Sequence, residues 1–150
     1  MKRIFCSALI LIAPLAACFA EEQPTAKAAS TPCESNFAVE GGFLKGNTYK
    51  TFQEFSGTSY DYSFRKTAQA VAANSWTSVN ANKDAGVITA SRAVMFGDGA
   101  VVPLNVVVQE KKDNVIRVDV NFSTGFGQMV SSDTVKIELC KIAEAAGRQQ

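Results

Sequence analysis

The chain has 150 residues, 15 Lys plus Arg against 14 Asp plus Glu, no histidine, and 47% hydrophobic residues. Near-neutral charge without a basic stretch excludes the footprint of a nucleic-acid binder and the Lys/Arg cluster that draws proteins to anionic lipid. Without imidazole there is no His-based triad, no His general base and no His-ligated metal.

Met1-Lys2-Arg3 places two positive charges at the start, and an apolar run over 4–17 follows, broken by Ser7 and Pro14. This is the charged and then apolar layout of an export signal. At about 14 residues the run is shorter than the roughly 20 that span a bilayer. It ends Leu15-Ala16-Ala17-Cys18, which resembles the lipobox of bacterial lipoproteins. The resemblance rests on those four residues. It implies a signal peptide over 1–17, cleavage by signal peptidase II, and a membrane anchor of palmitate-type acyl chains carried by Cys18. The alternative is ordinary secretion, with Cys18-Phe19-Ala20 as a small-x-small site that releases Glu21, although Phe19 is bulky for that site. Phe19 and Ala20 are not the aspartate that this family uses for inner-membrane retention. The resemblance therefore favours the outer membrane, with the domain in the periplasm.

Without Lys2 and Arg3, 13 basic residues face 14 acidic ones, a net side-chain charge of −1. Of the four cysteines, Cys6 leaves with the signal, and Cys18 is lipidated or lost by the other cleavage. Cys33 and Cys140 then remain as a pair in an oxidising compartment, which predicts a disulfide. It closes a loop of about 106 residues, for which the chain-entropy model gives ~4–5 kcal/mol as an upper figure. Two free thiols or a shared metal are the alternatives. Two cysteines with no histidine are a poor zinc set.

Residues 18–35 hold the anchor cysteine followed by Ala, Thr, Pro, Ser, Glu and Gln. This composition cannot bury enough apolar surface to order itself, so the segment reads as a flexible tether ending near Cys33. A single domain over 36–147 follows. Residues 48–55 read as a strand by their aromatic and Thr content. Tyr60, Phe64, Ala68 and Val71 recur at helical spacing through Ala73, with Ser59 or Asp61 as N-cap. Residues 76–79 read as a short strand, 80–86 as a hairpin connection and 87–93 as the returning strand. Gly97-Asp98-Gly99 marks a turn. Val102, Leu104, Val106 and Val108 alternate with polar residues, as do Ile116, Val118, Val120 and Phe122, which defines two half-buried strands joined by a charged turn over 110–114. At the C-terminus Val135, Ile137 and Leu139 fit a strand, whereas Val135, Leu139, Ile142 and Ala146 fit a helix. Ser131, Ser132 and Asp133 as caps, with Gly147 as a stop, favour the helix.

The expected architecture is α+β, an antiparallel sheet of about five strands in β-α-β-β-β-β-α order with two helices on one face. This order, with phrases such as Asp84-Ala-Gly-Val-Ile-Thr-Ala90, resembles the helix-grip-like domains of small envelope lipoproteins, such as the C subunit of the outer-membrane β-barrel assembly machinery. The likeness covers about 90 residues and transfers no functional residue.

Few groups suggest chemistry. No Walker loop, dinucleotide fingerprint or EF-hand loop is present. Gly125-Phe126-Gly127 is too short for a phosphate loop and reads as a hinged loop. Asp61 and Arg65 have the spacing of a solvated helical pair. Asp84 and Asp98 read as turn residues rather than calcium ligands. Glu40 and Glu54 are a remote choice for an acid–base pair. The aromatics around the first strand and helix read mainly as core, with Tyr60, Tyr62 and Trp76 as the candidate interaction surface and Tyr62 the most exposed. No catalytic residue, metal site, cofactor or nucleic-acid partner is expected. The expected role is that of a non-enzymatic envelope lipoprotein working through contacts with another envelope protein, as assembly factor, accessory subunit or inhibitor. The alternative is a periplasmic module that binds a small apolar or envelope-derived ligand between helix and sheet.

Overall fold

The computed structural model describes residues 30–42, 44–94 and 100–147. Cys18, the signal expected over 1–17 and Asp98 lie outside them. The element order is α1 (Pro32–Ser35), β1 (Ala38–Gly42), β2 (Gly46–Ser56), α2 (Tyr60–Ala73), β3 (Thr77–Asn82), β4 (Val87–Ala93), β5 (Val101–Lys111), β6 (Val115–Ser123) and α3 (Ser132–Glu144), with short 3-10 turns at Lys112–Asn114 and Ala145–Gly147. All six strands form one antiparallel sheet in the order β1-β2-β6-β5-β4-β3.

The α+β class, antiparallel sheet and helix-covered face are as expected, but the sheet has six strands rather than five and there is a third, very short helix. β1 escaped the sequence reading because its residues, Ala-Val-Glu-Gly-Gly, have no apolar alternation and are almost wholly exposed. It is held by its pairing with β2, Val39 opposite Tyr49. α1 falls inside the segment read as tether, so the last residues of that segment are ordered. Four residues are too few for periodicity, yet the turn has its own signature. Thr31 and Glu34 form a reciprocal capping box, and Pro32 takes the first turn, where its missing N–H is harmless. Strand β3 begins after Trp76 and runs through Asn82, so the connection shortens to 83–86. It is bulged between Thr77 and Asn80, with Ser78 at φ 49°.

The core follows the alternation. Val102, Leu104, Val106 and Val108 on β5 and Ile116, Val118, Val120 and Phe122 on β6 point to one face, joined by Tyr49, Ile88 and Ala90. Helix α3 buries Val135, Leu139, Cys140, Ile142 and Ala143 against this face, and α2 buries Ser63, Phe64, Thr67 and Val71. Both helices open on serine caps, Ser59 accepting from the Tyr62 N–H and Ser131 from the Thr134 N–H. The buried hydroxyls are satisfied: Ser63 donates to the Ala146 carbonyl at 3.1 Å, tying α2 to the C-terminal turn, and Thr67 donates to the Ser63 carbonyl. No described helix is long and apolar enough to cross a membrane.

Cys33 and Cys140 are joined as a disulfide, with Cα atoms 5.6 Å apart. Cys33 is fully buried, and its carbonyl accepts from the Thr51 hydroxyl at 2.6 Å. The bridge therefore fastens α1 to α3 over the middle of β2. Reducing it, or changing Cys140→Ala, is expected to lower stability by up to ~4–5 kcal/mol, since the closed loop has a sequence separation of 107. Urea unfolding with and without reductant measures this; coincident midpoints would contradict a stabilising bridge.

Candidate functional site

The strand ends divide the domain into two unlike poles. At one pole lie the β1–β2 turn, the end of β4, the start of β5, and residues 124–131 between β6 and α3. At the other lie the β2–α2 junction, the β3–β4 turn and the β5–β6 turn. The second pole is charged: Asp61, Lys83, Asp84, Glu110, Lys111, Lys112 and Asp113 gather there. At the first, Leu44, Val101, Phe126, Met129 and Val130 are exposed.

Residues 124–131 are held in place at their start. Thr124 N–H donates to the Asn47 carbonyl at 2.8 Å, and its hydroxyl accepts from the Asn47 N–H at 3.0 Å. Gly125 N–H donates to the Gln128 side-chain oxygen at 2.6 Å, closing a tight turn with Phe126 at the tip. Gly127 takes φ +69°, which glycine adopts without strain. Beneath this turn, Val94, Val102 and Phe122 form the floor of a groove of about 480 Å³, with Gln128, Met129 and Val130 as its wall and Arg92 at one end.

Arg92 separates this groove from a more open hollow of about 580 Å³ between the end of α2 and the start of α3, lined by Asn74, Ile137, Glu138 and Lys141. Its guanidinium forks onto the Glu138 carboxylate, donates to the Asn74 carbonyl at 2.5 Å, and lies 4.2 Å above the centre of the Trp76 ring. Trp76 packs edge-on against Phe122, ring centres 5.7 Å apart. Its indole N–H and the Arg92 Nε are buried without a hydrogen-bond partner.

Among the described residues none covers the sheet face away from the helices. Register places Asn80, Thr89, Asn105, Asn121 and Lys50 in one row across five strands, each opposite the next. Lys50 is paired with Glu40 at 2.6 Å. Next to this row, Val87, Val107, Asp119 and Phe52 form another. Towards the charged pole, Arg117 bonds both oxygens of Asp119, reaches Glu54 at 3.4 Å and covers the Phe52 ring at 3.7 Å. The Asp119 hydrogen bond, foremost, holds the Arg117 guanidinium above its usual range.

The residues singled out from sequence do not converge. Trp76 is 5% exposed and belongs to the core, which corrects its reading as an interaction surface. Tyr60 is half-buried; its hydroxyl donates to the Lys83 carbonyl at 2.5 Å, and burial pushes its phenol up. Tyr62 is half-buried rather than exposed, with Arg65 and Lys66 over its ring at 5.9 and 5.6 Å. Asp61 pairs with Lys83 at 2.7 Å. Glu54 pairs with Lys111 and Arg117, and Glu40 with Lys50, so each carboxylate has its own cation. From Thr48, the partner of Glu40, to Glu54 the strand rises about 20 Å, too far for joint acid–base work. Among the described residues no group of His, Cys, Asp and Glu gathers at metal-binding distance. The apolar pole and the amide row were both missed, because each is assembled by register from residues that are ordinary singly.

Changing Glu138→Ala strands the Arg92 guanidinium, whose side chain is 33% exposed. The expected loss is about 1–3 kcal/mol, with a shift in the emission of Trp76, the chain's single tryptophan; an unchanged melting temperature and spectrum would show the pair to be inert. No family model and no curated protein matches the chain. Among solved structures it is similar to the crystal structure of CalU16 from Micromonospora echinospora, at 10% identity over 72% of this chain and 81% of that one, with a TM-score of 0.47.

Proposed function

We propose that the chain is a lipoprotein of the bacterial cell envelope, anchored through Cys18, with its domain in the periplasm and the outer membrane favoured, acting without catalysis through contact with another envelope protein. The observation that carries the contact is the uncovered sheet face with its row of Asn80, Thr89, Asn105 and Asn121. Asparagine is disfavoured in strands, and the fold does not use these amides: neither Asn105 nor Asn121 engages its side chain in a hydrogen bond within the described protein. Residues that break a local preference without serving the fold are where binding is expected. Paired amides present donors and acceptors together, suited to the polar surface of a partner. The Cys33–Cys140 bridge fits an oxidising compartment.

A second reading is favoured by one feature. The groove over Val94, Val102 and Phe122 is largely apolar and within the size range of small-molecule sites. It lies at the sheet end, not within the helix–sheet core, and suits a small apolar or envelope-derived ligand.

Photo-crosslinkers placed at Asn80 and Val107, on the same face, in cells are expected to capture one defined envelope protein. Asn105→Glu with Asn121→Glu is expected to lower that capture at least tenfold while the melting temperature holds. Capture that is unchanged by the double variant would overturn the reading. The anchor is tested by the mass of the mature N-terminal peptide: an acylated Cys18 supports it, and a chain beginning at Glu21 rejects it.

A further inference from the structure

The structure assigns the apolar pole to the bilayer: we propose that Leu44, Val101, Phe126, Met129 and Val130 rest in the lipid interface while the uncovered sheet face stands clear of it. Leu44 is 74% exposed, Val101 59%, Phe126 72%, Met129 85% and Val130 37%. They come from three separate segments that the strand register brings to one end, since Thr48 lies opposite Ser123 and Ala93 opposite Val101. Single exposed apolar residues need no explanation, but several at one pole of a small domain mark an interaction site. Val94 and Phe122 continue this surface inwards through the groove.

The scarcity of charge at this pole agrees with a bilayer. The described residues of this pole, 44–47, 93–94, 100–102 and 124–131, contain one charged side chain, Lys45, and the sequence of the β4–β5 connection adds Asp98. The next carboxylates, Asp133 following 124–131 and Glu138 beside Arg92, are paired, with Lys136 at 3.2 Å and with the Arg92 guanidinium. A pole this poor in charge suits apolar insertion at a bilayer interface, and the seven charged residues of the opposite pole keep that end in water. Attraction comes from apolar insertion, with Lys45 contributing as a single cation near the headgroups.

The anchor's reach agrees, and this step rests on the lipid-anchor reading. The described chain begins at Ser30, beside α1, whose Cys33 sits over Thr51. From Thr51 to Gly46, at the apolar pole, strand β2 covers about 17 Å. The 12 residues after Cys18 up to Ser30 span at most ~40 Å. The anchor and the apolar pole therefore reach the same membrane surface, with chain to spare.

The test uses the mature protein as cells export it, as Phe126→Trp and separately as Lys112→Trp, with the parent chain as baseline for Trp76. Each is mixed with or reconstituted into vesicles of phosphatidylethanolamine and phosphatidylglycerol whose acyl chains are brominated. Quenching of the residue-126 emission by at least half, with less than a tenth at residue 112, is the expected result. Lys45→Glu is expected to reduce the quenching severalfold. Equal quenching at both poles, or none at residue 126, overturns the proposal, as does a blue shift at 126 that arises without lipid through self-association. The mass of the N-terminal peptide in the same samples separates the two readings. Quenching with an unmodified N-terminus keeps the bilayer contact and rejects the anchor; an acylated N-terminus without quenching does the reverse.

Discussion

Helix α3 lying along β2 and β6 is the contact on which the rest of the domain depends. The sheet has one apolar face, and without this helix its β6 residues Val118 and Val120 would be exposed to water, while α2 packs over β5. Val135, Leu139, Ile142 and Ala143 supply the cover, at roughly 1.5–3 kcal/mol for each large side chain fully buried. Cys140 on the same helix reaches Cys33, so α1 is bound to α3, and both are bound to the middle of the sheet. The Ser63 hydroxyl then joins α2 to the carbonyl of Ala146. Three segments distant in sequence meet over one strand. Each contact constrains the others: a shift of α3 by one turn would break the bridge, the Ser63 bond and the Arg92–Glu138 fork together.

Because both helices lie on one face, the other face and the two poles are left to carry whatever the protein does. The poles differ because the connections differ. Short turns between β3 and β4 and between β5 and β6 are built from Lys, Asp and Asn, which favour tight turns and stay hydrated. The described residues of two connections at the other pole are apolar where exposed: Leu44, Phe126 and Met129. Nothing in strand or helix formation requires this asymmetry. It costs solubility and adds no core, so its account belongs to binding rather than folding.

Much of the fold was legible because the alternation on β5 and β6 and the 3.6-residue recurrence on α2 are strong local signals. Ser59 could be read as a cap for the same reason. What stayed hidden depends on pairing. Ala38–Gly42 has no pattern of its own and becomes a strand through β2 alone. Trp76 sits among aromatic neighbours in sequence, but its burial is set by Phe122, 46 residues further on, and by Arg92. Asn105 and Asn121 occupy visibly polar positions, yet only the register shows them opposite each other at the sheet centre. The Cys33–Cys140 pair was reachable by counting, since it needs no geometry to be the pair left over.

The division of surfaces bears on how a tethered domain can select a partner. A domain free to rotate about a lipid anchor presents every face equally, and its encounter with an envelope protein is weakened by the orientations that fail. A pole that settles on the bilayer removes most of those orientations before any partner arrives. The strands run from the apolar pole to the charged one, so a domain resting on Phe126 and Met129 holds the uncovered face roughly upright. Its Asn105–Asn121 row then faces along the membrane surface, towards proteins embedded in the same layer. Orientation of this kind raises effective concentration without any new contact, which is how a neutral amide row, weak by itself, can serve as a recognition surface.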